Sequence, residues 1–339
     1  MRAAERGGLL RMALWAALAG GCAEATVAVP PPTPVPTVPD QMGDLWGMVP
    51  AEADLVLFAD LAKLRESAWT RASFAKALGE GGDRLAEMRG MDRVIFAKLP
   101  LLREDASVLV GQGRVDRQAI RSGFERGGPV RFSTYRGAEL LERGDEALAF
   151  VASQAVLSGF DLAVRAAIDC NVGSAPGVEA ESWLRHLRGE LGRGRPAPPV
   201  AALYVRLQPA TREELMREMG EGGTLEAVGA RIDLAADLDA HAIGVVRSEL
   251  EARDLAGRLG ERMRDARARP IVAAFGLTRV MESLRFAPQE SEVRASLHVS
   301  QEDRQEIAER MALVADMLAK MKRPQDPAPH GDEKGRRGP

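Results

Sequence analysis

The sequence predicts an α+β fold, and three observations carry the prediction. Apolar and polar residues alternate strictly in several runs, as in strands with one buried and one solvated face. Between those runs, apolar residues recur at helical spacing, several times behind an acceptor side chain placed to cap a helix. The two halves of the chain also pass through the same order of elements. Half-buried, alternating strands imply antiparallel sheets, expected here with helices packed on one face.

Taken in order, Val56-Leu-Phe-Ala-Asp-Leu reads as a strand after the turn-like Val49-Pro-Ala-Glu-Ala-Asp. A helix is expected over 68–89, broken at Gly79, Gly81 and Gly82. Strands are expected at Arg93-Val-Ile-Phe-Ala and Ala106-Ser-Val-Leu-Val-Gly. Asp116 is placed to cap a helix over 117–126, because its side chain can accept from free amides of the first turn. Residues 130–143 and 147–158 supply further strands, and Asp161 is expected to cap a helix over 162–170. The Gly/Pro/Arg-rich passage Gly189 to Pro199 marks the boundary between a first half, 42–190, and a second, 198–322.

In the second half Val200-Ala-Ala-Leu-Tyr-Val-Arg-Leu reads as a strand. Thr211 opens a helix with Glu213 and Glu214 in its first turn, where the helix dipole favours acids. Residues 231–247 carry the clearest strand pattern. Ile232, Leu234, Ala236, Leu238, Ala240 and Ala242 alternate there with Asp233, Ala235, Asp237, Asp239 and His241. A helix over 250–268 and a strand through Val293, Ala295, Leu297 and Val299 follow. Ser300 then caps a long helix bearing Ile307, Met311, Val314, Leu318 and Met321. VLFADLAKLRE in the first half stands opposite ALYVRLQPATRE in the second, and DRQAI opposite EDRQEI, which suggests two similar halves. Residues 323–339, rich in Pro, Gly and charge, read as a disordered tail.

Composition limits the function classes. The net charge is −3, and residues 1–21 hold three arginines against one glutamate, so the remainder stands at about −5. No basic excess points to nucleic acid. Arginine greatly outnumbers lysine while Ala and Gly abound, the composition of a GC-rich genome more than of a dedicated arginine surface. Aromatic residues make up 4% of the chain, too few to announce a sugar- or base-stacking platform.

The amino terminus carries the sharpest signal. Arg2 and Arg6 precede a short apolar run from Leu9, and Ala19, Gly20 and Gly21 stand directly before Cys22. The run is too short to span a bilayer, which takes about 20 apolar residues, but it has the layout of a secretory signal peptide, 1–21. With Leu18 upstream, it resembles the lipobox of bacterial lipoproteins, with Ala19 where Leu is commoner. The resemblance implies that Cys22 is acylated, that the peptide is cut before it, and that a lipid anchor holds the protein to a membrane. Residues 22–41 follow as a leash holding Pro30, Pro31, Pro32, Pro34, Pro36 and Pro39, which favour extended polyproline II. At ~3.1 Å per residue, about 15 such residues would stand a domain roughly 45 Å from the membrane. The body beyond residue 42 looks like lipoproteins of GC-rich gram-negative bacteria that open on a VPAEADLVLFADLAKLRES-type segment. That likeness brings no activity with it. Ala23 lacks the acidic residue that resembles an inner-membrane retention signal, so the outer membrane is favoured. If Cys22 is acylated, Cys170 has no intramolecular disulfide partner and reads as a small buried hydrophobe.

Candidate chemistry is sparse. Asp237, Asp239 and His241 share one strand face at two-residue spacing, and carboxylate and imidazole groups on one face can bind a divalent metal. Residues at i and i+2 stand ~6.5 Å apart, too far for tight chelation by one strand alone. His186, His298 and His330 show no ligand spacing. Gly111-Gln-Gly-Arg-Val-Asp sits between a strand and a helix but lacks the third glycine of a dinucleotide fingerprint and the Gly-Lys-Ser/Thr of a phosphate loop. No catalytic residue and no cofactor is assigned. The leading expectation is therefore a non-enzymatic, membrane-anchored envelope lipoprotein that binds or scaffolds envelope proteins. Two alternatives stand beside it. One is an extracytoplasmic hydrolase built on dispersed acids such as Asp60, Asp237 and Asp239, which needs two carboxylates about 5–9 Å apart. The other is a lipid or small-ligand carrier, which needs an enclosed apolar cavity.

Overall fold

A computed structural model describes residues 42–67, 70, 90–103, 105–152, 154–195, 197–209, 211–213, 225–274, 276–307 and 309–310. The signal peptide, Cys22 and the proline leash lie outside the described residues, as do nearly all of the helix expected over 68–89 and the chain beyond 310.

One antiparallel sheet of 12 strands organises the body. The first half gives β1 (Leu55–Asp60), β2 (Met91–Lys98), β3 (Ser107–Gly113), β4 (Arg131–Tyr135), β5 (Ala138–Arg143), β6 (Glu146–Ala152) and β7 (Ala155–Phe160). The second half gives β8 (Ala201–Arg206), β9 (Ala227–Leu234), β10 (Leu238–Val245), β11 (Arg285–Gln289) and β12 (Glu292–Val299). The spatial order is β11-β12-β10-β9-β8-β1-β2-β3-β7-β6-β5-β4. Outward from the central β1/β8 pair, each half runs through its first three strands and then its last strand and the one before it. The β4/β5 hairpin extends only the first half. The fold class is thus α+β with antiparallel pairing.

The helices are α1 (Met42–Gly47), α2 (Leu61–Glu66), α3 (Arg117–Arg126), α4 (Asp161–Asn171), α5 (Ser182–Gly192), α6 (Glu249–Arg267), α7 (Pro270–Ala274) and α8 (Thr278–Ser283), and residues 301–307 and 309–310 are helical. Where one covered face was expected, helices occupy both. Consecutive strand residues split between two cores. Leu140, Ala149 and Leu157 pack with Ala163, Val164 and Ile168 of α4 and Leu184, Leu187 and Leu191 of α5 on the front. Leu141, Leu148 and Val156 pack with Ile120 and Phe124 of α3 on the back. Further along the back, α6 lays Ala252, Leu255 and Ala256 against Val293, and α8 sets Val280 against Leu238 and Val299. The helices carry these residues at spacings of three and four, which gathers them on one stripe.

Local chemistry explains where elements begin. Asp116 Oδ1 accepts from Ala119 N at 3.0 Å and starts α3 as expected. Ser300 Oγ accepts from Asp303 N at 3.1 Å, while Asp303 reaches back to Ser300 N, a reciprocal cap on the helix from 301. Asp161 does not cap α4. It is the first helical residue, behind Phe160, and its carboxylate takes Arg165 Nε at 2.8 Å instead. The segments 130–143 and 147–158 are each split. In the first, Arg136 and Gly137 both take positive φ, the geometry of a tight hairpin turn, and join β4 to β5.

The strand expected over 231–247 is also a hairpin. Leu234 stands directly opposite Leu238, with 235–237 forming the turn and Ala235 N bonded to Asp237 O at 3.0 Å. The spacing between the paired leucines is even, so the alternation of faces passes through the turn unbroken.

Candidate functional site

One cross-strand row shows where the front face changes character. Residues in register across antiparallel strands share a face. Leu140, Ala149, Leu157, Val110, Ile95, Phe58 and Ala202 line up across seven strands, all buried. The same row continues into β9, β10 and β12 as Arg231, His241 and Ser296. At Ala202 the apolar floor gives way to a polar one, and α5 ends over that border.

Gly229 of β9 seats α5. A Cβ there would stand 2.9 Å from Leu191 Cδ1 and 3.3 Å from Leu187 Cβ, so a bare α-carbon lets the helix approach the strand. The last turn of α5 then brings Arg188, Leu191 and Gly192 beside Trp46 of α1, Tyr204 of β8, Arg231 of β9, Arg195 and residues 197–199. Together they enclose an open recess of about 260 Å³. Trp46 stacks on Phe58 with centroids 6.0 Å apart and meets Tyr204 edge-on at 5.8 Å. The Arg188 guanidinium lies 4.2 Å above the Trp46 ring, and its Nη1 donates to Glu179 at 2.8 Å.

Arg231 is buried, with 5% of its surface exposed. Its Nε donates to Asp233 Oδ2 at 2.7 Å and its Nη2 to Ala197 O at 2.6 Å. Arg195 Nη1 donates to Leu191 O, one of the last carbonyls of α5, and Nη2 lies 3.0 Å from His241 Nε2. Among the described residues no carboxylate pairs with Arg195. Burial, reinforced by Arg195, holds His241 below the usual histidine range. Burial also pushes the Tyr204 phenol up to about 12, although Arg188 and Arg231 stand near enough to oppose it.

Of the sequence-predicted acids, Asp60 is placed apart from Asp237 and Asp239. Asp60 is buried at the end of β1, accepts from Lys63 N at 2.9 Å and caps α2. Three strand spacings, about 14 Å, separate β1 from β10, so Asp60 shares no site with Asp237 and Asp239. Asp237 lies in the β9/β10 turn and accepts from Gln301 N at 3.0 Å. Asp239 takes His298 Nδ1 at 2.8 Å from the neighbouring β12, and that bond raises the His298 pKa. His241 turns to Arg195. Asp237 and Asp239 thus share His298, whose Nε2 lies 3.8 Å from Asp237 Oδ2, while His241 stands apart on Arg195; among the described residues no three His, Cys, Asp or Glu side chains are grouped to hold a metal. Gly111 lies inside β3, paired with Val94 and Val156, and forms no loop. Cys170 is buried, its thiol 3.3 Å from Pro176 O and pushed up to about 11 by burial.

A second recess of about 390 Å³, lined by Arg131, Glu142 and Asp161 among others, lies at the end of the β4/β5 hairpin away from its turn. Glu142 is buried there but saturated. It accepts from Arg131 Nε at 2.8 Å, Ser133 Oγ at 3.1 Å and Arg165, which hold its carboxyl below the usual range against burial.

Sequence reasoning missed α5 and the arginine recess. The spacing of Leu184, Leu187 and Leu191 could have disclosed the helix. Nothing in the sequence distinguishes Arg188, Arg195 or Arg231 from the many other arginines.

No family model matches the chain, and no curated protein matches it. Among solved structures it is similar to TP0453. Crystal form III superimposes with a TM-score of 0.46 at 12% identity, over 79% of this chain and 97% of that one. Crystal form IV gives 0.43 at 14% identity, over 80% and 95%. A likeness at this level assigns no function to the chain.

Proposed function

We propose that this protein is a lipid-anchored binding module of a bacterial cell envelope. The reading rests on one observation above all. An apolar run from Leu9 ends in Ala19, Gly20 and Gly21 directly before Cys22, and a proline-rich leash separates that cysteine from the body that starts at residue 42. A thiol behind small residues is what acylation and cleavage by a membrane peptidase require, and a leash is what a tethered globular domain requires. The lack of an acid at Ala23 favours the outer membrane over the inner. No described helix is long and apolar enough to cross a membrane.

Binding is favoured over turnover by how the polar groups are used. Asp60 is spent on a cap, Asp237 and Asp239 on neighbouring chain, and Glu142 on two arginines and a serine. The recess beside α5 keeps donors to spare, as a binding surface does.

Fatty-acid labelling and membrane fractionation of the wild type and Cys22→Ala test the proposal. Label and membrane association should disappear together in the variant. A wild type that takes no label and fractionates as soluble would overturn the anchor.

A further inference from the structure

We propose that the recess formed by Trp46, Arg188, Arg195, Tyr204 and Arg231 binds a small oxyanion, a ligand presenting a phosphate or a carboxylate. The proposal deepens the binding-module reading and rests on it only for the kind of role the recess plays. The argument is a count of donors and acceptors. Rim carbonyls are already taken: Ala197 O by Arg231, Pro198 O by Lys63 Nζ at 2.9 Å, and Leu191 O by Arg195. Donors are left over. Trp46 Nε1–H is buried without an acceptor, in a residue only 1% exposed. The Tyr204 hydroxyl makes no hydrogen bond among the described residues and, unlike Trp46 Nε1, keeps some contact with solvent at the recess.

The guanidiniums also have unspent N–H groups. Arg188 uses Nη1 on Glu179, leaving Nε and Nη2. Arg231 uses Nε and Nη2, leaving Nη1. Arg188 pairs with Glu179 and Arg231 with Asp233, while the Arg195 charge has no direct carboxylate partner among the described residues; Asp239 stands near His241 but bonds His298. His241 does not cancel the Arg195 charge, and its depressed pKa keeps a further positive charge from forming beside Arg195. A buried donor without an acceptor is costly, and a ligand made only of acceptors relieves that cost. Arg forks match planar carboxylate and phosphate oxygens. The recess, about 260 Å³ and open to solvent, has room for a headgroup-sized anion.

Calorimetric titration of the full chain tests this, in non-ionic detergent with inorganic phosphate and succinate, and after detergent removal with vesicles of phosphatidylglycerol or phosphatidylcholine. Saturable binding of phosphate or succinate assigns a soluble anion. Saturation by phosphatidylglycerol but not phosphatidylcholine vesicles assigns a lipid headgroup. Either result requires that Arg188→Gln and Arg195→Gln each weaken binding about tenfold or more, the loss of one charge-assisted contact. Tyr204→Phe, which keeps the ring and its packing, should weaken binding about fivefold with an unchanged near-ultraviolet dichroism spectrum. Arg253→Gln, an exposed charge on α6, should change nothing. The proposal fails if no probe saturates up to about 10 mM, or if Arg253→Gln weakens binding as much as the recess variants. An unlabelled Cys22 would leave this titration unaffected, so the two readings fail separately.

Discussion

Replacing Arg231 with methionine should destabilise the protein by about 3 kcal/mol, and the structure supplies the reasons. Methionine restores most of the apolar stem but removes a guanidinium that is nearly all buried. Breaking a fully buried ion pair by deleting one partner costs about 3–5 kcal/mol. Asp233 keeps 28% of its side chain in water, so orphaning it costs well below that range, about 1 kcal/mol. Ala197 O also loses its donor, for about 1 kcal/mol. A third term comes from register: Asp233 lies directly opposite Asp239, and with Arg231 gone the two carboxylates face each other across the strands. At about 5 Å in a wet environment that repulsion is worth about 1 kcal/mol. Adding Asp233→Leu removes both the orphaned acid and the repulsion, so the double variant should lose only about 1 kcal/mol. Urea denaturation at neutral pH, followed by circular dichroism on the full chain and its three variants, measures the coupling. A loss below about 1 kcal/mol for Arg231→Met, or a double variant equal to the sum of the singles, would refute the reasoning.

Three further outcomes are expected. Gly229→Val should cost about 1–3 kcal/mol by driving β9 into Leu187 and Leu191, and should weaken anion binding because α5 carries Arg188; urea denaturation and the phosphate titration check both. His298 should titrate above ~6.5 by proton NMR and return toward that value in Asp239→Asn. Because the folded pKa is the raised one, the stability from this pair is fully present below ~6.5 and fades as pH rises through the folded value, so the two proteins should converge at alkaline pH. Cys170, buried and shifted to about 11, should resist a thiol reagent at neutral pH in the native protein and react fully in urea; rapid native labelling would contradict its packing.

The strands were legible in the sequence where they form short apolar or alternating runs. β1, β2, β3, β8 and β12 lie where those runs put them, and Asp116 and Ser300 cap where their spacing predicts. The errors have physical causes. Residues 231–247 read as one strand because the turn at 235–237 preserves parity, so no break in the pattern marks it. Asp161 read as a cap because an acid before an apolar run suits N-cap and first-turn positions alike, and only the bond to Arg165 separates them. The edge strand β11 escaped notice because Pro288 argues against a strand, yet an edge tolerates proline when its missing N–H would have faced outward.

The candidate site was illegible for a different reason, which bears on where function can reside in this fold. Its residues come from α1, α5, β8, β9, Arg195 and residues 197–199, and α5 is the element that makes them one site. In sequence α5 starts in the first half and ends inside the Gly/Pro/Arg passage, of which Gly189–Gly192 are helical, yet its leucines pack over β9, a strand of the second half. The central β1/β8 pairing fuses the two halves into one sheet, and the helix that crosses this junction must end over the second half's front face. There the row that was apolar through Ala202 meets Arg231 and His241. A helix end brings carbonyls without partners, and Arg195 answers one of them while keeping its charge beside the recess. Excess donors therefore gather at this border because a helix end, a cationic strand position and a buried aromatic pair converge there. No short motif could record that convergence. It depends on strand register and on the missing side chain of Gly229, and both become visible only once the sheet is assembled.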